Sequence, residues 1–202
     1  MNIEPTLICI PDISGFTKFM SETDIEVSSK VIPSLLNQII YSNEIGLKVS
    51  EIEGDAVLFF KSGELPSFKE LITQCRLFYT RFYEKLHKLR TSEEFPEYEV
   101  NIPEVLGLKI ILHFGEIGAT RIGNKIKLIG EDIIVAHRLL KNSISVDEYL
   151  LVSDNLMQQY DELDIERNFG WGTLIDMQEN YEHIGDIRYS YINLQPLTKQ
   201  QN

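Results

Sequence analysis

Residues 5 to 11 form an apolar run centred on Leu7, Ile8, Cys9 and Ile10, and the run ends on Asp12 with Gly15 close behind. A short apolar run of this kind reads as a buried strand, so the chain has to build a sheet around it. Residues 46 to 60 read as two further strands joined at Glu53 and Gly54, a hairpin signal that leaves Asp55 at the turn. Asp12 and Asp55 therefore each stand at a strand edge beside glycine-bearing backbone. Hard divalent cations are held by a few carboxylates and phosphates of this kind, and the helix start expected after Asp12 offers free N–H groups to a phosphate. The pair suggests a metal and phosphate site. Taken singly, Asp12 could cap the next helix and Asp55 could be a turn residue.

The remaining pattern alternates helices with strands. Thr23 to Glu26 has capping-box spacing, and Val27, Val31, Leu35, Ile39 and Ile40 supply an apolar helix face that Pro33 is expected to kink. Ser67 to Glu70 is a second capping box, followed at helical spacing by Leu71, Ile72, Cys75, Phe78, Tyr79, Phe82 and Leu86, a core stripe. Strands are expected over 106–114, 117–122 and 125–129, the last two around a turn at Gly123 and Asn124, with a helix over 132–141. Later strand candidates are 149–152, 173–177 and 188–194. The one long loop, Thr91 to Pro103, does not make independent domains of the two halves. This order predicts an α+β fold of the ferredoxin-like βαββαβ type, a mainly antiparallel sheet with helices on one face.

At 202 residues the expectation is a single domain, 1–202. A net charge of -12 argues against broad nucleic-acid binding and makes a polyanionic nucleotide harder to hold unless metal ions screen it. Cys9 and Cys75 lie in apolar patterns and read as buried reduced thiols, consistent with a cytoplasmic setting. No run approaches the ~18 apolar residues of a membrane span.

Four segments in order resemble the class III nucleotidyl cyclase catalytic domain, that of adenylate and guanylate cyclases. Asp12 to Thr17 looks like its first metal motif and Glu51 to Ala56 like its second. Leu112 to Gly118 looks like its strand-turn segment, and Ile129 to Leu139 like its dimer-edge helix. The resemblance is strongest over residues 5–142. It implies conversion of a nucleoside triphosphate to a 3',5'-cyclic monophosphate and pyrophosphate, with two Mg or Mn ions held by Asp12, Asp55 and the Ile13 carbonyl. The turn formed by Ser14, Gly15, Phe16 and Thr17 would meet the phosphates, and Glu51 and Lys127 would read the base. Arg138 would stabilise charge from the partner subunit of a head-to-tail homodimer, although alone it would read as an ion-pair arginine.

Departures from the family pattern are equally informative. Ile134 stands where a ribose-orienting asparagine is expected and can donate nothing. Glu116 and the stretch Glu182, His183, Ile184 replace basic phosphate contacts, unless Arg188, Lys125 or Lys127 takes over. An ion pair between Glu51 and Lys127 is as good an account of those two residues as base reading. The histidines 87, 113, 137 and 183 show no zinc-type spacing and read as structural or exposed. Trp171 is a core anchor or an exposed contact. Two functions follow: a divergent signalling cyclase, or a cyclase-like regulatory or nucleotide-binding module without turnover.

Overall fold

The computed structural model describes residues 3–91, 102–123 and 125–199, the side chains of Lys125 and Lys199 excepted. The elements run β1 (Ile3–Ser14), α1 (Phe16–Glu22), α2 (Ile25–Tyr41), β2 (Lys48–Glu53), β3 (Ala56–Ser62), α3 (Phe68–Arg90), β4 (Gly107–Ile122) and β5 (Lys125–Ile129). They continue with α4 (Glu131–Leu139), β6 (Tyr149–Ser153), α5 (Asp154–Met157), α6 (Glu162–Asn168), β7 (Ile175–Tyr181), β8 (Gly185–Asn193) and α7 (Pro196–Lys199). The sheet order is β2-β3-β1-β4-β6-β8-β7, with β5 folded back on β4. Its first four strands, with α2 and α3 as the crossovers, form the expected ferredoxin-like unit. Among the described residues β4 and β6 run parallel, and the other pairs are antiparallel.

β1 is buried on both faces because alternate residues feed two cores. Leu7 and Cys9 join Val31, Leu35, Leu71 and Phe78 beneath α2 and α3, whereas Ile8 and Ile10 join Val135, Ala136 and Leu139 of α4 on the other face. The two long helices thus share one face, and α4 covers part of the second. β1 pairs with β3 from Thr6 to Cys9 and again at Asp12 without a change of register. Pro11, which has no N–H to give, stands in the gap. Cys9 and Cys75 are free buried thiols, as expected.

The box at Ser67 forms: Ser67 Oγ accepts the Glu70 N–H at 3.3 Å and Glu70 Oε2 accepts the Ser67 N–H at 2.9 Å. The box at Thr23 does not, because the N-cap is Asp24, without a side-chain cap bond. α2 continues through Pro33, where both Pro33 and Ser29, the residue whose carbonyl loses its donor, are exposed to water. Residues 106–122, read as two strands, form one strand from Gly107 to Ile122, and the short helices α5 and α6 were not foreseen. Trp171 is an anchor: its Nε1–H donates to the Asn193 carbonyl at 3.1 Å, and Phe169 packs edge-on against it. Most of the expected loop, residues 92–101, lies outside the described residues, as does Asn124 of the expected turn.

Candidate functional site

Asp12 occupies the end of the central strand, opposite Ala56 of β3 and Lys109 of β4. The β2–β3 turn brings Asp55 to the same place, using Gly54 at φ +58, and the Ile13 N–H donates to the Asp55 carbonyl at 2.9 Å. The Asp12 side chain is only 13% exposed and, among the described residues, pairs with a single cation, Lys109 Nζ at 3.6 Å. Burial pushes its carboxyl up to about 6, the Lys109 ammonium opposes that rise, and the Asp55 charge adds to it. Two carboxylates close enough to repel, one of them buried with an incomplete counter-charge, are a donor set suited to a hard divalent cation.

A cavity of about 460 Å³ opens here, and Asp12, Ile13, Ser14, Gly15, Phe16, Thr17 and Asp55 all line it. Gly15 has φ +76, and a Cβ there would lie 1.8 Å from the Val105 carbonyl oxygen, so only glycine makes this turn. Ser14 Oγ is buried with no hydrogen-bond partner among the described residues.

A second cavity of about 660 Å³ shares Asp12, Asp55 and Lys109 with the first and adds Glu53, Ile134, His137 and Arg138. Arg138 therefore lines a cavity with both aspartates of its own chain. Ile134, one turn earlier on α4 and 53% exposed, adds only hydrocarbon to that wall.

The two candidate base-reading residues meet on the β2 side. Lys127 Nζ donates to both carboxylate oxygens of Glu51, at 2.7 and 2.9 Å, and this hydrogen bonding raises the lysine's pKa. Both side chains are reached by solvent, where such a pair is worth little and an incoming ligand can open it.

The phosphate contacts considered as replacements do not gather here. Arg188 lines a different cavity with His113, Asp132 and Ile184, and its Nε–H donates to Gln178. Glu182 and His183 pair with each other at 3.5 Å, almost fully exposed. The Lys125 side chain is outside the described residues. Glu116 gives its backbone N–H to Asp132 Oδ2 at 2.7 Å.

Lys109 was missed by the sequence reading, because its partnership with Asp12 comes from strand register alone. Also missed was a buried chain further along the same face of β4, the face that α4 covers. His113 bridges Ser153 Oγ at 2.8 Å and Asp132 Oδ1 at 3.0 Å, tying the first turn of α4 to β4 and β6. The glycine at 115 is the sequence signal for it, since a Cβ there would meet the Asp132 carboxylate at 1.9 Å.

Comparison with known proteins sharpens the fold. The chain is 17% identical to the guanylate cyclase domain of RhGC from Catenaria anguillulae, solved in complex with GTP, with a TM-score of 0.64 over 96% of this chain and 98% of that one. It is 14% identical to the adenylyl cyclase CyaB from P. aeruginosa, with a TM-score of 0.62 over 95% of each chain. A bacterial light-regulated adenylyl cyclase gives 17% and 0.61 over the whole of both chains. At these identities the likeness shows the fold, that of class III nucleotidyl cyclase domains. In sequence, an uncharacterized protein of Mycobacterium tuberculosis is 27% identical over 151 residues, covering 74% of this chain and 67% of that protein. The family model described as a protein of unknown function, DUF2652, matches residues 32–149, more than half of the chain, and the chain belongs to that family.

Proposed function

We propose that this chain binds the divalent-metal complex of a purine nucleoside triphosphate, with the metal at Asp12 and Asp55 and the phosphates along the turn from Ser14 to Thr17. The observation that carries the reading is the convergence of both aspartates and that turn on one cavity wall, with Asp12 buried and under-compensated. Mg or Mn ions bound there would screen the triphosphate and ease loss of the 3'-hydroxyl proton. Asp12 lies on β1 and Asp55 in the tight β2–β3 turn, whose backbone is tied to β1 by the Ile13 N–H, so they bring little reorganisation cost to binding. Glu51 and Lys127 present an acceptor and a donor together, which suits the polar edge of a purine once their mutual pair opens.

The same reading extends to a homodimer and to cyclisation. Ile52, Ile122 and Ile126 are more than half exposed and border a groove of about 810 Å³ beside Glu51 and Lys127, a surface that a second copy would cover. Arg138 would then act on the triphosphate as charge builds on its oxygens. Ile134 leaves the ribose without its expected donor, and loss of one positioned donor costs about 100 to 1000-fold in rate. A binding module without turnover is therefore the second reading, favoured by Ile134 and by the closed Glu51–Lys127 pair.

Calorimetric titration with a non-hydrolysable triphosphate in Mn, together with product analysis on the four natural triphosphates, separates these. Binding that needs Mn and disappears in Asp55→Ala is the expected result. Cyclic product then selects the enzyme, and its absence the module. No binding of any triphosphate by the folded protein would sink both.

A further inference from the structure

Beside the aspartates lies a donor set of different chemistry. Glu51 and Glu53 are two residues apart on edge strand β2, so both side chains leave the same side of the strand. His137, in the last turn of α4, approaches them from across the cavity. One ligand atom from each of Glu51, Glu53 and His137 lies within 4.8 Å of the other two. His137 Nδ1 stands 3.7 Å from Glu53 Oε2, too far for a hydrogen bond. Ligand atoms around one tetrahedral ion, with bonds of about 2.0 to 2.2 Å, stand about 3.4 Å apart. The gap is thus close to the spacing that a shared ion sets.

We propose that Glu51, Glu53 and His137 form a second metal site, selective for a borderline transition ion such as zinc over magnesium. The imidazole nitrogen decides the class of ion: mixed N and O donors suit zinc, whereas magnesium and calcium take oxygen and discriminate against this set. The carboxylates already draw a cation, since the Lys127 ammonium lies on both oxygens of Glu51. Its side chain is 47% exposed and free to swing into water when zinc takes that place. The His137 and Glu53 side chains are 32% and 49% exposed, so the ion has a path in and the ligands have room to draw together. No local spacing in the sequence reveals this set, because β2 and α4 bring its members from opposite halves of the chain.

Zinc on Glu51 would take that carboxylate from the base position assigned above. That consequence rests on the nucleotide reading, whereas a zinc titration without nucleotide does not. The test is titration of the full chain with zinc against a chromophoric chelator, in millimolar magnesium. One equivalent should bind, with affinity at least about tenfold weaker in His137→Ala and in Glu53→Gln. Circular dichroism checks that both variants are folded, and Glu53 lies on an exposed edge where Gln fits. Cobalt in place of zinc should give a visible ligand-field band that His137→Ala removes. Zinc binding unchanged in both variants would overturn the proposal, as would zinc binding abolished by Asp55→Ala but retained in His137→Ala, which assigns the ion to the aspartates.

Discussion

Asp12 and Glu179 are both strand carboxylates partly withdrawn from water, and their surroundings treat them in opposite ways. Asp12 has one lysine at 3.6 Å, and burial carries its carboxyl up to about 6. At Glu179 burial also acts to raise the pKa, but the Ser143 hydroxyl and N–H and the hydroxyls of Tyr181 and Tyr189 all donate to it and bring it down to about 2. The fold completes the shell of Glu179 and leaves that of Asp12 open. A complete shell makes a brace, here between the α4–β6 connection and the β7–β8 ribbon. An incomplete one leaves a place for a cation from outside, which is the stronger reason to put function at Asp12.

The contrast breaks most visibly at a third carboxylate of the completed kind, Asp132. Burial works against its ionisation, yet His113 and the Glu116 N–H hold its pKa below the usual carboxylate value. Gly115→Ala places a methyl where the Asp132 carboxylate lies. Overpacking together with the lost charge-assisted hydrogen bonds should cost about 3 kcal/mol or more, read as a fall in the urea midpoint. A loss under about 1 kcal/mol would show that the Asp132 shell is loose and that the distinction from Asp12 is not one of completeness.

Asp12→Asn should move stability the other way. Its folded carboxyl titrates near 6 and an unfolded one near 3.9, so the native state binds the extra proton and stability falls as pH rises from about 4 to about 6. Above that window the ionised group opposes folding by up to about 3 kcal/mol, and Asn removes most of this. The variant should therefore be about 2 kcal/mol more stable than the parent at pH 7 without metal, equal to it at pH 4, and unable to gain stability from Mn. Lys109→Met tests the same corner from the cation's side. It should cost about 1 to 2 kcal/mol at pH 7, where Asp12 is ionised, and much less at pH 4.5 or in the Asp12→Asn background. Equal cost in both backgrounds would mean that Lys109 acts through its hydrocarbon packing and its 3.5 Å contact with the Leu140 carbonyl rather than through Asp12.

These residues also mark how far the sequence could be read. Alternation and helical stripes found the central strand, the β2–β3 hairpin and α3, because each depends on short-range periodicity and on burial that composition reports directly. Resemblance of four ordered segments to the class III cyclase motifs, rather than periodicity, put Asp12, Asp55 and the turn from Ser14 to Thr17 together. Lys109, the His113 chain and the Glu51, Glu53 and His137 set were not legible, since each joins elements whose pairing is fixed only by sheet register and by the seating of α4. Glu51 and Lys127 were legible as a choice between base reading and an ion pair. The structure has them paired, and a surface pair of that strength leaves a nucleotide able to compete.

The smallest effect expected is at Glu179. Its folded carboxyl lies near 2 and an unfolded glutamate near 4.3, so the group stabilises the native state above about pH 4.3, and that contribution is lost as pH falls toward 2. This window lies below that of Asp12 and has the opposite sign, so one acid titration of stability separates the two. The shift alone would correspond to about 3 kcal/mol, but Glu179 is only half-buried, and solvent screening reduces the expected worth to about 1 kcal/mol. Glu179→Gln keeps the shape and, with its oxygen in the place of Oε1, the acceptor for Ser143 and Tyr189 but not the charge or the acceptor for Tyr181, so it should cost about 1 kcal/mol at pH 7 and almost nothing at pH 2. An unchanged acid limb in that variant would assign the low-pH loss to other carboxylates and leave Asp12 without its counterexample.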